Sequence, residues 1–142
     1  MLTVAQLLKS KGNQVFSLAP QDSVLHAIEM MATQHVGALL VMEQGILKGI
    51  ISERDYARKV ILKQRSSHDT PVHDIMTSQP VTVTPDITVY QCMQIMTEGR
   101  FRHLPVVQGT KVVGMLSIGD LVKAVIQDQS QTIEHLERYI AG

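Results

Sequence analysis

Apolar and polar residues follow two different periodicities along this chain, and the same order of periodicities occurs twice. In 23–34 and in 88–99 the apolar residues recur every three or four positions, which is typical of an amphipathic helix. Thr88, with Gln91 three residues later, predicts a capping box at the start of the second helix. Each helix precedes two short apolar runs separated by a polar turn, which predicts pairs of buried strands at 37–42 and 47–52 and at 103–107 and 111–117.

The two ends of each copy complete the pattern. Short runs rich in Val, Phe and Thr at 15–18 and 80–84 predict strands that end at prolines. After the last strand of each copy, a helix is expected to open at Ser52 and at Ser117. The predicted order is therefore strand–helix–strand–strand–helix, twice, and the predicted fold class is α/β (α+β).

Identical residues support this repetition at a constant offset of 65. The copies align without a gap from Pro20 and Pro85 onward, and they share residues around the last strand and the last helix. Two copies are too few for a solenoid, which needs about three or more units, so we expect two lobes related by a pseudo-twofold axis. The shared residues that bear on function are Gly49/Gly114, Ser52/Ser117, Asp55/Asp120 and Val60/Val125.

Shorter segments flank the two copies. A short amphipathic piece precedes each copy, at 3–8 and at 71–76, and the polar segment 63–70 is the predicted linker. The tail 131–140 predicts an extra C-terminal helix. The expected division is a first repeat with its N-terminal helix at 1–65, a second repeat at 66–129 and a C-terminal helix at 130–142.

Composition and charge narrow the class of protein. Thirteen basic residues balance thirteen acidic ones among 142, which argues against a nucleic-acid or membrane-surface partner. No apolar run approaches the roughly 20 residues of a membrane span, and the N-terminus lacks the features of a secretory signal. The single Cys92 excludes an intrachain disulfide and suits a reducing compartment. We therefore expect a soluble, cytoplasmic protein.

The repeated Ser-x-x-Asp sequence has two interpretations. Each copy can be a capping box, in which the serine hydroxyl and the carboxylate satisfy amides of the first helical turn. Each can also bind a nucleotide, because a helix N-terminus suits a phosphate and a carboxylate one turn along can accept from ribose hydroxyls. The glycine three residues before each serine would permit close approach of a ligand or of a neighbouring strand. The motif alone leaves both interpretations open.

The chain resembles a tandem pair of cystathionine-β-synthase (CBS) domains, the arrangement known as a Bateman module. The second copy carries the resemblance in "VTVTPDITV", "FRHLPVV" and "GMLSIGDLV", and the first in "FSLAPQDSV", "HVGALLV" and "GIISERDYA". The resemblance implies that each copy folds as β-α-β-β-α and that two clefts form around the pseudo-twofold axis. It also implies that these clefts bind adenosine-containing ligands.

The resemblance further implies a role for individual residues. Asp120 would hold the ribose in one cleft and Asp55 in the other, with Ser117 and Ser52 near the α-phosphate. The first-strand segment of the opposite copy would sandwich the adenine, and backbone of the buried strands would read its edge. These residues are Ser17, Leu18 and Ala19 opposite Asp120; Thr82, Val83 and Thr84 opposite Asp55; and Ala38, Leu39, His103 and Leu104 at the adenine edge.

Basic residues near these positions are candidates for phosphate contacts. Arg54 lies inside the Ser-x-x-Asp turn, and Arg102 and His103 precede a buried strand, so we favour ligand contact for all three. For Arg58 and Lys59 a solvated helix face, with an Asp55–Lys59 pair, is an equal alternative. The expected ligand is AMP, ADP, ATP or NAD, with S-adenosylmethionine as a further candidate.

Other features favour a regulatory protein over an enzyme. Cys92 lies among apolar helix residues and is expected to be a buried structural thiol. The histidines and aspartates of 68–74 match no closed metal site, so no metal is expected. No nucleophile–base pair is visible, so nothing supports catalysis. The resemblance implies a ligand-sensing module that acts on an unknown partner. The alternative is an oligomerising scaffold with vestigial clefts. We also expect a homodimer, with the helices at 23–34 and 88–99 as its interface.

Overall fold

The structure is a computed structural model that describes residues 2–141, without the side chains of residues 132, 135 and 139–141. The predicted order of elements is present, except that the strand expected at 80–84 is a single bridge and the C-terminal helix is not separate, and the mixed α/β class is confirmed. Along the chain the elements are α1 Val4–Lys11, β1 Ser17–Leu18, α2 Val24–Gln34, β2 Ala38–Glu43, β3 Ile46–Ser52, α3 Glu53–Tyr56, a π-helical turn Ala57–Ile61, a 3-10 helix Val72–Asp74, β4 Thr77–Ser78, α4 Val89–Gly99, β5 His103–Gln108, β6 Lys111–Ser117 and α5 Ile118–Ala141.

The chain forms two compact units, each discontinuous in sequence. The first-repeat unit consists of Gln14–Val81 with Gly109–Val112. The second-repeat unit consists of Met1–Asn13, Thr82–Gln108 and Val113–Gly142. These units divide the chain differently from the sequence repeats, because the N-terminal segment is grouped with the second copy.

A four-stranded sheet forms the centre of the first-repeat unit. Its order is β1-β2-β3-β4, with β1 parallel to β2 and the other pairs antiparallel. The sheet and α2 enclose a core of apolar side chains. The strand β2 is buried along most of its length and contributes several of them. The fully buried members of this core include Val24, Leu39, Val41, Ile51 and Val72.

The second-repeat unit contains the equivalent pieces in reduced form. β5 and β6 form a two-stranded sheet, and the predicted first strand at 80–84 is reduced to one parallel bridge between Val83 and Val106. The matching pair in the other unit is Leu18 and Val41. A separate apolar core forms here too, and it includes Val4, Val89, Cys92, Leu104 and Leu116.

Backbone hydrogen bonds attach α1 to the second-repeat unit. The amide of Val4 donates to the carbonyl of Ile87 (2.9 Å), and the amide of Val89 donates to the carbonyl of Leu2 (3.0 Å). Burial of Val4 and Leu7 in the core of this unit adds an apolar attachment. The helix is thus a structural part of the second copy, although it precedes the first copy in sequence.

Both amphipathic helices begin where their capping residues predict. Ser23 caps α2 by accepting from the amide of His26, and Thr88 caps α4 in a full capping box with Gln91. Such caps satisfy amides that the first helical turn leaves without partners. The helices therefore start at Val24 and Val89, within one residue of the prediction.

The last helix differs from the prediction. Instead of a separate C-terminal helix at 131–140, α5 runs without interruption from Ile118 to Ala141. The polar run in the middle of this segment suggested a break, but after Gly119 it contains no proline or glycine that would interrupt a helix before Ala141. Helical hydrogen bonding therefore continues through the polar run.

Candidate functional site

The two repeated glycines let another segment approach the last strand of each copy. A Cβ at Gly49 would lie 2.7 Å from the backbone oxygen of Thr77 and 2.7 Å from the sulfur of Met76. A Cβ at Gly114 would lie 2.7 Å from a methyl carbon of Leu8. Close approach of a neighbouring strand is therefore confirmed at Gly49, which lies beside β4, whereas at Gly114 the approaching group is a side chain of helix α1.

The first Ser-x-x-Asp turn is a complete capping box. The amide of Ser52 donates to Oδ2 of Asp55 (2.9 Å), and the amide of Asp55 donates to Oγ of Ser52 (3.2 Å). The Ser52 hydroxyl also donates to Oδ2 of Asp55 (3.0 Å). These bonds fix the carboxylate at the junction between β3 and α3, so the predicted capping box is confirmed here.

The second Ser-x-x-Asp turn repeats this arrangement between β6 and α5. The amide of Ser117 donates to Oδ2 of Asp120 (2.8 Å), and the amide of Asp120 donates to Oγ of Ser117 (3.1 Å). Each copy thus presents one carboxylate at the same point of the fold, held by the backbone amide of its own serine. Capping accounts for the repeated motif without a ligand, but it also fixes two acceptors in position.

Internal bonds already occupy part of each helix N-terminus. The amide of Glu53 donates to the carbonyl of Gly37 (3.0 Å), and the amide of Ile118 donates to the carbonyl of Arg102 (2.9 Å). The third amide of each first turn is bonded to the capping serine. Two amides of each first turn are therefore bonded within the chain, and a phosphate contact at these N-termini stays a prediction.

A lysine that the sequence did not point to contacts Asp120. Nζ of Lys11, at the end of α1, lies 2.8 Å from Oδ2 of Asp120 and also donates to the carbonyl of Met115. Burial by itself would raise the pKa of Asp120, but the hydrogen bonds from Lys11 and Ser117 outweigh it and hold that pKa below its usual range. Asp120 is thus a carboxylate at neutral pH.

The corresponding lysine in the first-repeat unit comes from a different element. Nζ of Lys59 lies 3.1 Å from Oδ1 of Asp55 and donates to the carbonyl of Ile75 (2.9 Å). This confirms the Asp55–Lys59 pair, one of the two alternatives for Lys59. Each carboxylate therefore forms an ion pair with one lysine. Lys11 lies on α1, whereas Lys59 lies one turn beyond Asp55.

The strand residues predicted to surround adenine lie beside these turns within each copy. Ala38 pairs with Ser52 across β2 and β3, and Leu39 pairs with Ile51. Leu39 and Leu104 are fully buried, so their side chains belong to the two apolar cores, and a contact of their backbone with adenine stays a prediction. In the second copy, Arg102 is exposed, and His103 opens β5 half-buried.

His103 lies in a charged environment close to Asp120. Burial lowers the pKa of His103, and the positive charges of Lys11 and Arg102 lower it further, against the opposing effect of the Asp120 carboxylate. The imidazole is therefore neutral at pH 7. A neutral ring can accept a hydrogen bond on one nitrogen, which a protonated ring cannot.

The first-strand segments have clear partners of their own. Ser17 pairs with Leu40 along the sheet, and the amide of Ala19 donates to the side chain of Asp22 (2.8 Å). Val83 is buried, and the hydroxyl of Thr84 donates to Asp86. Residues 17–19 and Asp120 belong to different units, as do residues 82–84 and Asp55, so their pairing around an adenine stays a prediction.

Several further features have a structural explanation. Cys92 is fully buried, and burial raises the pKa of its thiol to about 11, as expected for a structural cysteine. Among the residues that the structure describes, no group of three His, Cys, Asp or Glu side chains is close enough to hold a metal ion. Over the same residues, no helix has both the length and the apolar character needed to cross a bilayer.

The family model of the CBS domain matches the chain twice, at residues 4–62 and 72–127. The CBS domain-containing protein CBSX3, mitochondrial, of Arabidopsis thaliana is 42% identical over 149 residues, which cover 99% of this chain and 72% of that protein. In two other relatives from the same plant, CBSCBSPB5 and CBSCBSPB4, the match spans only 22% of the protein.

Solved structures of CBS-domain proteins have the same fold. A structure from Burkholderia ambifaria matches with a TM-score of 0.86 at 49% identity, over 89% of this chain and 96% of that one. The CBS domain pair of MJ0100, in complex with 5′-methylthioadenosine and S-adenosyl-L-methionine, matches with a TM-score of 0.80 at 21% identity, over 90% and 98% of the two chains. PAE2072 from Pyrobaculum aerophilum, complexed with AMP, matches with 0.78 at 24% identity, over 92% and 99%. This chain belongs to the CBS-domain family and carries two CBS domains in tandem.

Proposed function

We propose that this protein is a regulatory sensor of adenosine-containing nucleotides, in which Asp55 and Asp120 each bind the ribose of one ligand. The observation that carries this proposal is the pair of equivalent carboxylates, each fixed by a serine amide at a strand–helix junction. A fixed carboxylate binds a ribose diol without first losing side-chain freedom, which favours affinity. Two proteins of the same fold were solved with AMP or with 5′-methylthioadenosine and S-adenosyl-L-methionine, which supports this ligand class.

A regulatory role fits better than catalysis. Against the opposing effect of burial, the lysine beside Asp120 and its capping bond hold the pKa of this carboxyl below its usual range, which keeps it a hydrogen-bond acceptor at neutral pH. A general base works best when its pKa lies near the operating pH, so Asp120 is poorly suited to that role. We therefore propose that ligand binding changes the affinity of the protein for a partner, and that AMP, ADP, ATP, NAD or S-adenosylmethionine is the ligand.

A thermal-shift screen with these five compounds and 5′-methylthioadenosine tests the proposal. A ligand that binds only the folded protein raises the melting temperature. At a free concentration one hundred times its Kd, such a ligand adds about 2.7 kcal/mol to the free energy of unfolding. The Asp55→Asn/Asp120→Asn variant is the control, because asparagine keeps an oxygen for the serine amide and removes the charge. The proposal is wrong if none of the six compounds at millimolar concentration stabilises the wild-type protein.

An assembly role is the second candidate, and exposed apolar side chains on α5 favour it. Val122, Ile126, Ile133 and Leu136 are 42–58% exposed, although such residues are usually buried. We propose that the protein forms a homodimer, and this surface adds α5 to the helices α2 and α4 expected at the interface. Analytical ultracentrifugation at micromolar concentration checks this, and a species of 15.7 kDa would contradict it.

The cellular location is also a proposal. We retain the cytoplasm on the basis of composition, whereas the Arabidopsis relative is named a mitochondrial protein. Fractionation of the source cells, with an antibody against the protein, distinguishes the two.

A further inference from the structure

We propose that the two ribose-binding aspartates are unequal: Asp120 binds the ribose of an adenosine ligand more tightly, and Lys59 is the residue that weakens Asp55. This inference rests on the proposed function. It adds a statement of which Ser-x-x-Asp turn binds ligand at the lower concentration, and why. It follows from how the contacts on each carboxylate are divided between its two oxygens.

The contacts on Asp120 converge on one oxygen. Oδ2 accepts from the amide of Ser117 and from the ammonium of Lys11, each at 2.8 Å. Within the described part of the chain, these contacts leave Oδ1 for a further donor. A carboxylate oxygen has two lone pairs, so Oδ1 can accept a ribose hydroxyl while Lys11 and the cap stay in place.

The contacts on Asp55 are spread over both oxygens. Oδ2 accepts from the amide and the hydroxyl of Ser52, at 2.9 and 3.0 Å, and Oδ1 contacts the ammonium of Lys59 at 3.1 Å. Oδ1 of Asp55 therefore keeps one lone pair for a first ribose hydroxyl, but the second hydroxyl of the diol must displace Lys59 to reach that oxygen. The side chain of Asp55 is also less exposed than that of Asp120, at 14% against 26%.

The ammonium group of Lys59 has two partners. Besides Asp55, its ammonium donates to the carbonyl of Ile75 at 2.9 Å. When a ribose hydroxyl displaces Lys59, the Lys59–Asp55 ion pair is lost and the hydrogen bond from Lys59 to Ile75 is disturbed. Binding at Asp120 requires neither change. Exposed ion pairs are worth up to about 1 kcal/mol, which corresponds to about a fivefold difference in affinity.

Calorimetry with 5′-methylthioadenosine tests the inference, because this ligand has a ribose diol but no phosphate that could attract a lysine. Asp120→Asn leaves only the Asp55 turn and Asp55→Asn leaves only the Asp120 turn, and both variants keep an oxygen for the cap. We expect the dissociation constant to be several-fold larger in Asp120→Asn than in Asp55→Asn. Melting temperatures of the free variants confirm that each is folded.

In the Asp120→Asn background, Lys59→Met should lower the dissociation constant of 5′-methylthioadenosine at the Asp55 turn by about two- to fivefold. Lys63→Met in the same background is the matched control, because it removes an exposed lysine four residues along the chain, and it should leave the affinity unchanged. Equal dissociation constants in the two Asn variants, or weaker binding after Lys59→Met, would overturn this inference while the proposed function stands. If the wild-type protein binds none of the six compounds of the thermal-shift screen, both fall together.

Discussion

Lys11 and Asp120 form an ion pair that joins the end of α1 to the first turn of α5, with Nζ 2.8 Å from Oδ2. The two residues lie at opposite ends of the sequence but in the same compact unit. Both side chains are less than a third exposed, at 31% and 26%, so solvent screens the pair less than a fully exposed one. The position of α1 therefore determines whether Asp120, a candidate ligand-binding carboxylate, has a lysine as its ion-pair partner.

Lys11→Met should lower the free energy of unfolding at neutral pH by up to about 1 kcal/mol, because it removes this ion pair. The pKa of Asp120 lies below its usual range, so the stabilisation is complete above the unfolded pKa of about 3.9 and is lost as the pH falls through the folded pKa. The difference between wild type and variant should thus be constant from pH 5 to 8 and should shrink as the pH falls below about 4. Urea unfolding measures it. Lys9→Met, on the same helix, is the control, and an equal loss in that variant would contradict the assignment.

The titration of His103 should respond in opposite directions to its two charged neighbours. Burial and the charges of Lys11 and Arg102 lower its pKa, and Asp120 raises it. Lys11→Met should therefore raise the pKa of His103, and Asp120→Asn should lower it. NMR titration of the ring protons between pH 4 and 8 gives the midpoints. Unchanged midpoints in both variants would show that these side chains do not face one another in solution.

The two repeated glycines should differ in their tolerance of a methyl group. Gly49→Ala brings its Cβ against the backbone of Thr77, which is fixed by pairing of β4 with β3, so we expect a loss of about 1–3 kcal/mol. Gly114→Ala meets only the end of the Leu8 side chain, which can rotate, so the loss should be smaller.

Gly119→Ala is the control for these two variants. Its Cβ would meet only Oγ of Ser117, at 3.7 Å, and alanine favours a helix over glycine by roughly 0.5–1 kcal/mol. Chemical denaturation should therefore show a gain for Gly119→Ala and losses for the other two. A loss at Gly114 that equals or exceeds the loss at Gly49 would contradict the assignment.

Cys92 should be inert in the folded protein. Its side chain is fully buried, and burial raises the pKa of the thiol to about 11, so the reactive thiolate is scarce at pH 8. We expect a thiol-specific reagent such as Ellman's reagent to react only when urea unfolds the chain. Stoichiometric labelling of the native protein within minutes would contradict this.

Local sequence features predicted the elements that depend on local interactions. Thr88 with Gln91, and Ser52 with Asp55, mark helix starts because each pair satisfies its own first-turn amides. The buried strands β2 and β5 were predicted because continuous apolar runs need burial on both faces. The order of elements followed from these features and from the repeat.

Features that depend on distant segments were not predictable in this way. β4, at Thr77–Ser78, is exposed and has no apolar alternation, and it pairs with β3 because Gly49 makes room for it. Lys11 lies two residues from Lys9 in the sequence, and nothing in its sequence surroundings indicates Asp120 as its partner. The pair exists because α1 packs into the second-repeat unit, which is a long-range effect of the core.

The grouping of Met1–Asn13 with the second copy has a consequence for protein synthesis on the ribosome. Chains emerge from the amino end, and domains generally fold as units in that order, so residues 14–81 can condense while translation continues. Val4, Leu7 and Leu8 have their apolar partners among residues 83–124, which are translated after the first copy. The helix α1 thus stays unburied until the second copy has been made, and a chaperone that binds exposed apolar segments would find a target there during synthesis.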